Sequence, residues 1–123
     1  MIVGVGCDII EVDRIRQALA KAPVKLRIYT PAEISYCESK GVAADISFAG
    51  RFAAKEAVLK ALGTGLRGGK LQEIEILPGA LGRPQVFLHG HFADIAAEIG
   101  IKKIHLSVSH IEKTAMAYAV MEA

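Results

Sequence analysis

RFAAKEAVLKALGTG, residues 51–65, decides the reading of this chain. Its apolar and small residues recur at helical spacing, and Gly63-Thr64-Gly65 then stops the run, so a long helix over about 46–62 is expected. Asp45 stands where it could cap that helix. Glu56 and Lys60 lie one turn apart and point nearly the same way. Glu followed by Lys at i+4 is the commonest stabilising pair on a solvated helix, worth about 0.2–0.5 kcal/mol. Phe48 and Phe52 occupy the same ridge, however, and a carboxylate among phenylalanines is at least half buried. It then needs a cation, a metal or several donors. Both readings of Glu56 stand on the sequence: half of an ion pair, or a metal ligand beside an anion-binding lysine.

Outward from this helix, the chain reads as one α+β domain over residues 1–123. IVGVGCDIIEV (2–12) is short, β-branched and almost wholly apolar, and is expected as a buried strand. Asp13 can cap a helix over about 14–22, closed by Pro23. Thr30-Pro31-Ala32-Glu33 is a capping box with proline at the first helical position, so a short helix to about Ser39 follows. A glycine-rich loop covers 63–70. Strands are expected at 72–77, 85–89, 103–110 and 114–122, with a helix at 91–99. The order is βααα-ββ-α-ββ. Short connections make the late strands mostly antiparallel.

Composition narrows the function. Hydrophobic residues make up 52% of the 123 and charged residues 23%, with a mean hydropathy of +0.35. No apolar run approaches the ~18 residues of a membrane span. The apolar surplus therefore points to a subunit interface and an obligate oligomer. Cys7 and Cys37 make neither a disulfide scaffold nor a zinc site. With no export leader in view, a reducing cytoplasm is the expectation. Net charge is only +2, yet residues 14–27 carry five bases (Arg14, Arg16, Lys21, Lys25, Arg27) and no acid. That stretch is a solvated helix face or a docking surface for an anionic partner. Nucleic acid is not expected as that partner: tryptophan is absent and aromatics are 6%.

Four further features carry candidate chemistry. Asp8 interrupts an apolar strand, where an ionised carboxylate needs a binding partner. It is either a turn cap or a hard-metal ligand, and Mg²⁺ takes one or two carboxylates with phosphate oxygens and waters. GTGLRG (63–68) matches G-x-G-x-x-G, but it follows a helix and opens none, so a dinucleotide fingerprint is rejected. Phosphate there needs fixed cations against the negative helix end, and Lys60, Arg67 and Lys70 are at hand. In LSVSH (106–110), Ser107 and Ser109 share a face with His105, while His110 follows the core parity of Ile104, Leu106 and Val108. No nucleophile elbow accompanies them. His89-Gly90-His91 is a weak metal signal, and Cys7 is most simply a small packed side chain.

Three of these segments are similar to the motifs of one family. GCDIIEVDRI (6–15) resembles the G-x-D-I-x-x-x-x-R-I opening of the bacterial holo-[acyl-carrier-protein] synthases. RFAAKEAVLKALGTG resembles their central signature almost without change, and LSVSH their third motif. YTPAEISYCES (29–39) also fits, with Tyr29 where Phe is usual. The resemblance covers essentially the whole chain, in order. It implies a 4′-phosphopantetheinyl transferase fold and transfer of the phosphopantetheine arm of coenzyme A to a serine of apo-acyl carrier protein. That releases 3′,5′-ADP and serves fatty acid biosynthesis. It further implies Asp8 and Glu56 as Mg²⁺ ligands and Lys60 as the group that neutralises the leaving phosphate. Arg51, Gly63, Ser109 and His110 would lie around coenzyme A, and Arg14 would meet the acidic carrier. Glu56 or a water at the metal is the candidate base. Homotrimers with coenzyme A between subunits are implied as well. Ile111 and Thr114 depart from the family pattern near His110. Two rival functions remain distinguishable: a non-catalytic docking module, which needs neither carboxylate, and a phosphohydrolase, which would release 3′,5′-ADP without a carrier.

Overall fold

The computed structural model describes residues 1–123. A strand β1 (Ile2–Glu11) leads into four helices: α1 (Val12–Leu19), α2 (Ala22–Ile28), α3 (Pro31–Glu38) and α4 (Ala44–Leu62). A hairpin β2 (Ile74–Pro78) and β3 (Pro84–Leu88) follows, then α5 (Gly90–Glu98), β4 (Lys103–His110) and β5 (Thr114–Glu122). All pairing is antiparallel, in a three-stranded sheet ordered β1-β5-β4 and a separate β2-β3 hairpin. The expected α+β class and the second-half elements are present. The first half holds one helix more than expected. Pro23 does not simply close the first helix; it occupies the first turn of α2, where its missing N–H costs nothing.

Two expected caps are replaced. Glu11, not Asp13, precedes α1, and Asp13 lies in its first turn. Ala43 precedes α4, and Asp45 lies in that first turn. Both carboxylates instead bind Arg16, Asp45 at 2.8 Å. Early acids favour a helix N-terminus through the macrodipole even without capping it. The Thr30 capping box forms as expected, with Glu33 N donating to Oγ1 at 3.2 Å and Thr30 N to Glu33 Oε1 at 2.9 Å.

Helix α4 is the core of the molecule. Its first turns pack Phe48 and Ala49 with Val12, Ile15, Tyr29, Cys37 and Ala115. Its later turns pack Ala53, Ala54, Ala57, Val58 and Leu59 with Ile74, Ile76, Phe92, Ala117, Ala119 and Met121. Alanines predominate on both sides of the helix–sheet contact, so backbone meets backbone closely. At β1 the approach is closer still. A Cβ on Gly4 would collide with the Ala61 carbonyl, and one on Gly6 with the Ala57 carbonyl. Only glycine fits at these two positions.

β1 is not the fully buried strand expected from its composition. It is an edge strand with one face against α4 and the other uncovered. Val5, Cys7 and Ile9 on β1 are exposed beside Met116 and Tyr118 on β5 and Ser107 and Ser109 on β4. Val3, Val5, Ile9, Met116 and Tyr118 make this open sheet face apolar.

Candidate active site

Period-two alternation along β1 puts Gly4, Gly6 and Asp8 on the face towards α4. The two glycines let the helix descend onto the strand, and Asp8 then stands beside the helix's last turns. Lys60 reaches across this contact. Its Nζ donates to the Cys7 carbonyl at 2.9 Å and to Asp8 Oδ1 at 3.2 Å. The i+4 pair suggested by sequence is therefore not the pair that forms: Lys60 binds Asp8, from 52 residues away.

Glu56 makes no ion pair or hydrogen bond of its own. It is half-buried, as the phenylalanine ridge implies. Burial and the nearby charge of Asp8 push its carboxyl above the ordinary carboxylate range, while Lys60 pulls the other way. Two carboxylates in mutual repulsion, one with no bonded donor, make a hard-cation donor set once a phosphate and waters complete it. The chemistry of this donor set fits a hard divalent cation, which Asp8 and Glu56 could hold. No group of three or more His, Cys, Asp and Glu side chains gathers anywhere in the fold, and His89 Nε2 lies 3.1 Å from Glu75 Oε1.

The helix ends at Gly63 in the left-handed region, φ 79°, with its N–H on the Leu59 carbonyl. The loop then folds back, and Gly63, Gly65 and Leu66 join Glu56, Leu59 and Lys60 around a groove of about 320 Å³. Four of the residues singled out by sequence, Asp8, Glu56, Lys60 and Gly63, thus gather at this end of α4.

Arg51 and His110 form a second cluster. Along α4, Arg51 stands nine residues before Lys60, about 13 Å at 1.5 Å per residue. Its guanidinium stacks on Tyr36 at 4.4 Å, its Nη1 donates to Ser47 Oγ at 3.4 Å, and its Nε is buried without a partner. Lys40 covers the same ring at 4.7 Å. With Gly50, Val108 and His110 they line a groove of about 200 Å³. Tyr36 and Lys40 were not signalled by sequence, since only the fold brings the end of α3 against Arg51. Ser109 does not converge on this cluster. It belongs to the open sheet face, opposite Met116, while His110 has the parity of the α4 side. Arg14 sits apart on α1, exposed and without an ion pair, above a shallow groove with Ile9, Ile10, Glu11 and Thr114. Of the five bases in 14–27, Arg16 and Lys25 are spent on acids of this chain; Arg14, Lys21 and Arg27 are free of ion pairs.

α4 thus lies on a glycine-bearing edge strand, with a carboxylate from each and a lysine between. The family model for the 4′-phosphopantetheinyl transferase superfamily matches residues 4–119, and the chain belongs to that family. Within it the chain falls with the holo-[acyl-carrier-protein] synthases. It is 48% identical over 125 residues to the one from Koribacter versatilis, covering 99% of both chains. A crystal structure of the Neisseria meningitidis synthase superposes with a TM-score of 0.91 at 37% identity, over 100% of both chains. The Bacillus anthracis synthase, solved in complex with CoA (3′,5′-ADP), superposes at 0.83 with 37% identity, over 100% of this chain and 98% of that one.

Proposed function

We propose that this enzyme moves the 4′-phosphopantetheine arm of coenzyme A onto a serine of apo-acyl carrier protein, releasing 3′,5′-ADP, with Mg²⁺ held by Asp8 and Glu56. One observation carries the reading of the site: α4 and β1 meet across Gly4 and Gly6 so that Glu56, Asp8 and Lys60 stand together at the mouth of a groove. The metal would supply charge neutralisation for a pyrophosphate at its β-phosphorus. Lys60, an exposed ammonium already resting on two oxygens, would swing to the leaving phosphate and stabilise the charge that develops there. Glu56, or a water held by the metal, would take the serine proton. Gly63 and Gly65 leave room for the donor to pass close to backbone.

Arg51 and His110 would hold the nucleotide end, the orphan Nε of Arg51 being a donor in wait of an anion. Ser109 points from the open sheet face, so it would serve coenzyme A only where a second subunit meets that face. This supports a site between subunits of a homotrimer, with Val5, Ile9, Met116 and Tyr118 in the interface. Arg14, exposed and free of ion pairs, would receive the acidic carrier. No helix is long and apolar enough to cross a membrane; action in the cytoplasm, in fatty acid biosynthesis, is part of the proposal.

The test is direct. The protein is incubated with apo-carrier protein, coenzyme A and Mg²⁺, and the carrier is weighed. A gain of one phosphopantetheine, absent when Mg²⁺ is chelated, is expected. An unmodified carrier overturns the reading, and 3′,5′-ADP released without carrier would favour hydrolysis instead.

A further inference from the structure

Lys55 and Glu33 are the two charged side chains that the fold buries completely, and neither touches the groove. Lys55 precedes Glu56 on α4, so the two side chains leave the helix about 100° apart. The ammonium has three donors, and all are filled: Glu33 Oε1 at 2.8 Å, the Leu71 carbonyl at 3.0 Å and the Ile74 carbonyl at 2.6 Å. The carboxylate is equally complete. Its Oε1 also accepts from Thr30 N, and its Oε2 accepts from Ile76 N at 2.8 Å. Burial pushes the Lys55 pKa down and Glu33 opposes it.

Stability alone is a poor reason for such a pair, because apolar residues of similar volume usually serve as well. What hydrogen bonds add is direction, and here the direction is given to a loop. Residues 63–70 leave α4 at Gly63 and return to a 3₁₀ turn at Leu71–Glu73. Their near half, Gly63, Gly65 and Leu66, walls the groove with Glu56 and Lys60. Their far end is held where Lys55 grips the Leu71 carbonyl. There Lys70 N donates to Glu73 Oε1 at 2.6 Å, and Gly69 seats against Phe92, where a Cβ would collide. Within the loop only Gly69 N to the Leu66 carbonyl, 3.1 Å, closes backbone on backbone. The wall of the groove is thus set by its anchor.

We propose that Lys55 and Glu33 are positioning residues for the donor. They fix the exit of the 63–70 loop and so hold Gly63, Gly65 and Leu66 at the spacing that coenzyme A requires. The proposal rests on reading the groove as the coenzyme A site. It assigns the pair to binding of the donor, not to the chemical step and not to the carrier, which would meet α1.

The test uses the full-length protein with coenzyme A, Mg²⁺ and apo-carrier. The double variant Glu33→Gln/Lys55→Met removes both charges and leaves neither unpaired. It should fold by circular dichroism, raise KM for coenzyme A by about tenfold and leave kcat and the carrier KM within about threefold. Amide exchange at residues 64–70 should quicken, whether or not coenzyme A is present. A folded double variant with unchanged donor KM overturns the proposal, as does a loss of activity that only follows the folded fraction. Glu33→Gln alone covers the case in which the double variant does not fold. An amide cannot accept at both ends, so either Ile76 N, or Lys55 and Thr30 N together, lose their partner, and donor KM should rise by about threefold. An unchanged KM there is equally fatal. Quickened loop exchange with no coenzyme A binding even in the unaltered protein would sink the groove assignment while leaving the loop anchor standing.

Discussion

Two lysines on α4 bind two carboxylates, and they could hardly be used more differently. Lys55 and Glu33 are 0% exposed and every donor and acceptor is filled. Lys60 is 56% exposed and Asp8 18%, and the lysine rests on one carboxylate oxygen and one carbonyl. The first pair is a closed cage that specifies where chain segments lie. The second is an open contact, weak in water and free to be exchanged for a better anion. The difference comes from what faces each residue: three segments of protein around Lys55, but a groove and an edge strand around Lys60.

That contrast can be broken from either side. Asp8→Ala or Glu56→Ala should cost the largest factor, about 10³-fold or more in Mg²⁺-dependent transfer, with the fold intact by circular dichroism. Wild-type turnover in either variant would remove the metal assignment. On the closed side, Glu33→Ala should lower unfolding free energy by about 3–5 kcal/mol, since it strands a buried ammonium. Urea titration reads this directly, and a loss under about 1 kcal/mol would mean the cage relaxes easily. Lys60→Met should slow turnover by about 10²-fold yet change stability by less than about 1 kcal/mol, the reverse balance.

Smaller effects sharpen the picture of the open site. The Glu56 carboxyl is raised by burial and by Asp8, so its proton is held to higher pH in the fold than in the unfolded chain. Ionising it as pH rises through that range therefore costs stability, and a bound cation relieves the cost. The rise in Tm on adding Mg²⁺ should grow as pH is raised through the upward-shifted range of Glu56, because the ligand must lose its proton. A Tm shift independent of pH would separate Glu56 from the metal. Smallest of all, Arg14→Glu should raise the carrier KM by a few-fold, with steep salt dependence, and leave the coenzyme A KM alone.

Much of the site was legible before any fold was known. Asp8 stood out because a carboxylate interrupts an apolar strand, and Glu56 because its ridge carries phenylalanines. Both are local contradictions of pattern, and such contradictions tend to mark function. The partner of Lys60 was not legible. A residue at i+4 is the natural choice on an isolated helix, but a strand laid across the helix supplied a nearer oxygen. Gly4 and Gly6 were the available signal: two glycines at alternate positions of a strand announce close approach of another backbone on the face shared with Asp8. Lys55 was hidden for a different reason. A lysine in an alanine-rich helix reads as solvated, and nothing local says that Glu33, Leu71 and Ile74 close around it.

The sequence by itself determined the α+β class, the long helix with its glycine stop, the Thr30 capping box and the family. Each of these depends on residue type at short spacing, where propensity and periodicity act. Tertiary structure alone decided which carboxylate Lys60 holds, that Lys55 is caged and that β1 keeps one apolar face open. Those outcomes depend on which distant segments fill the space beside a side chain, and burial of a charge is settled by that company.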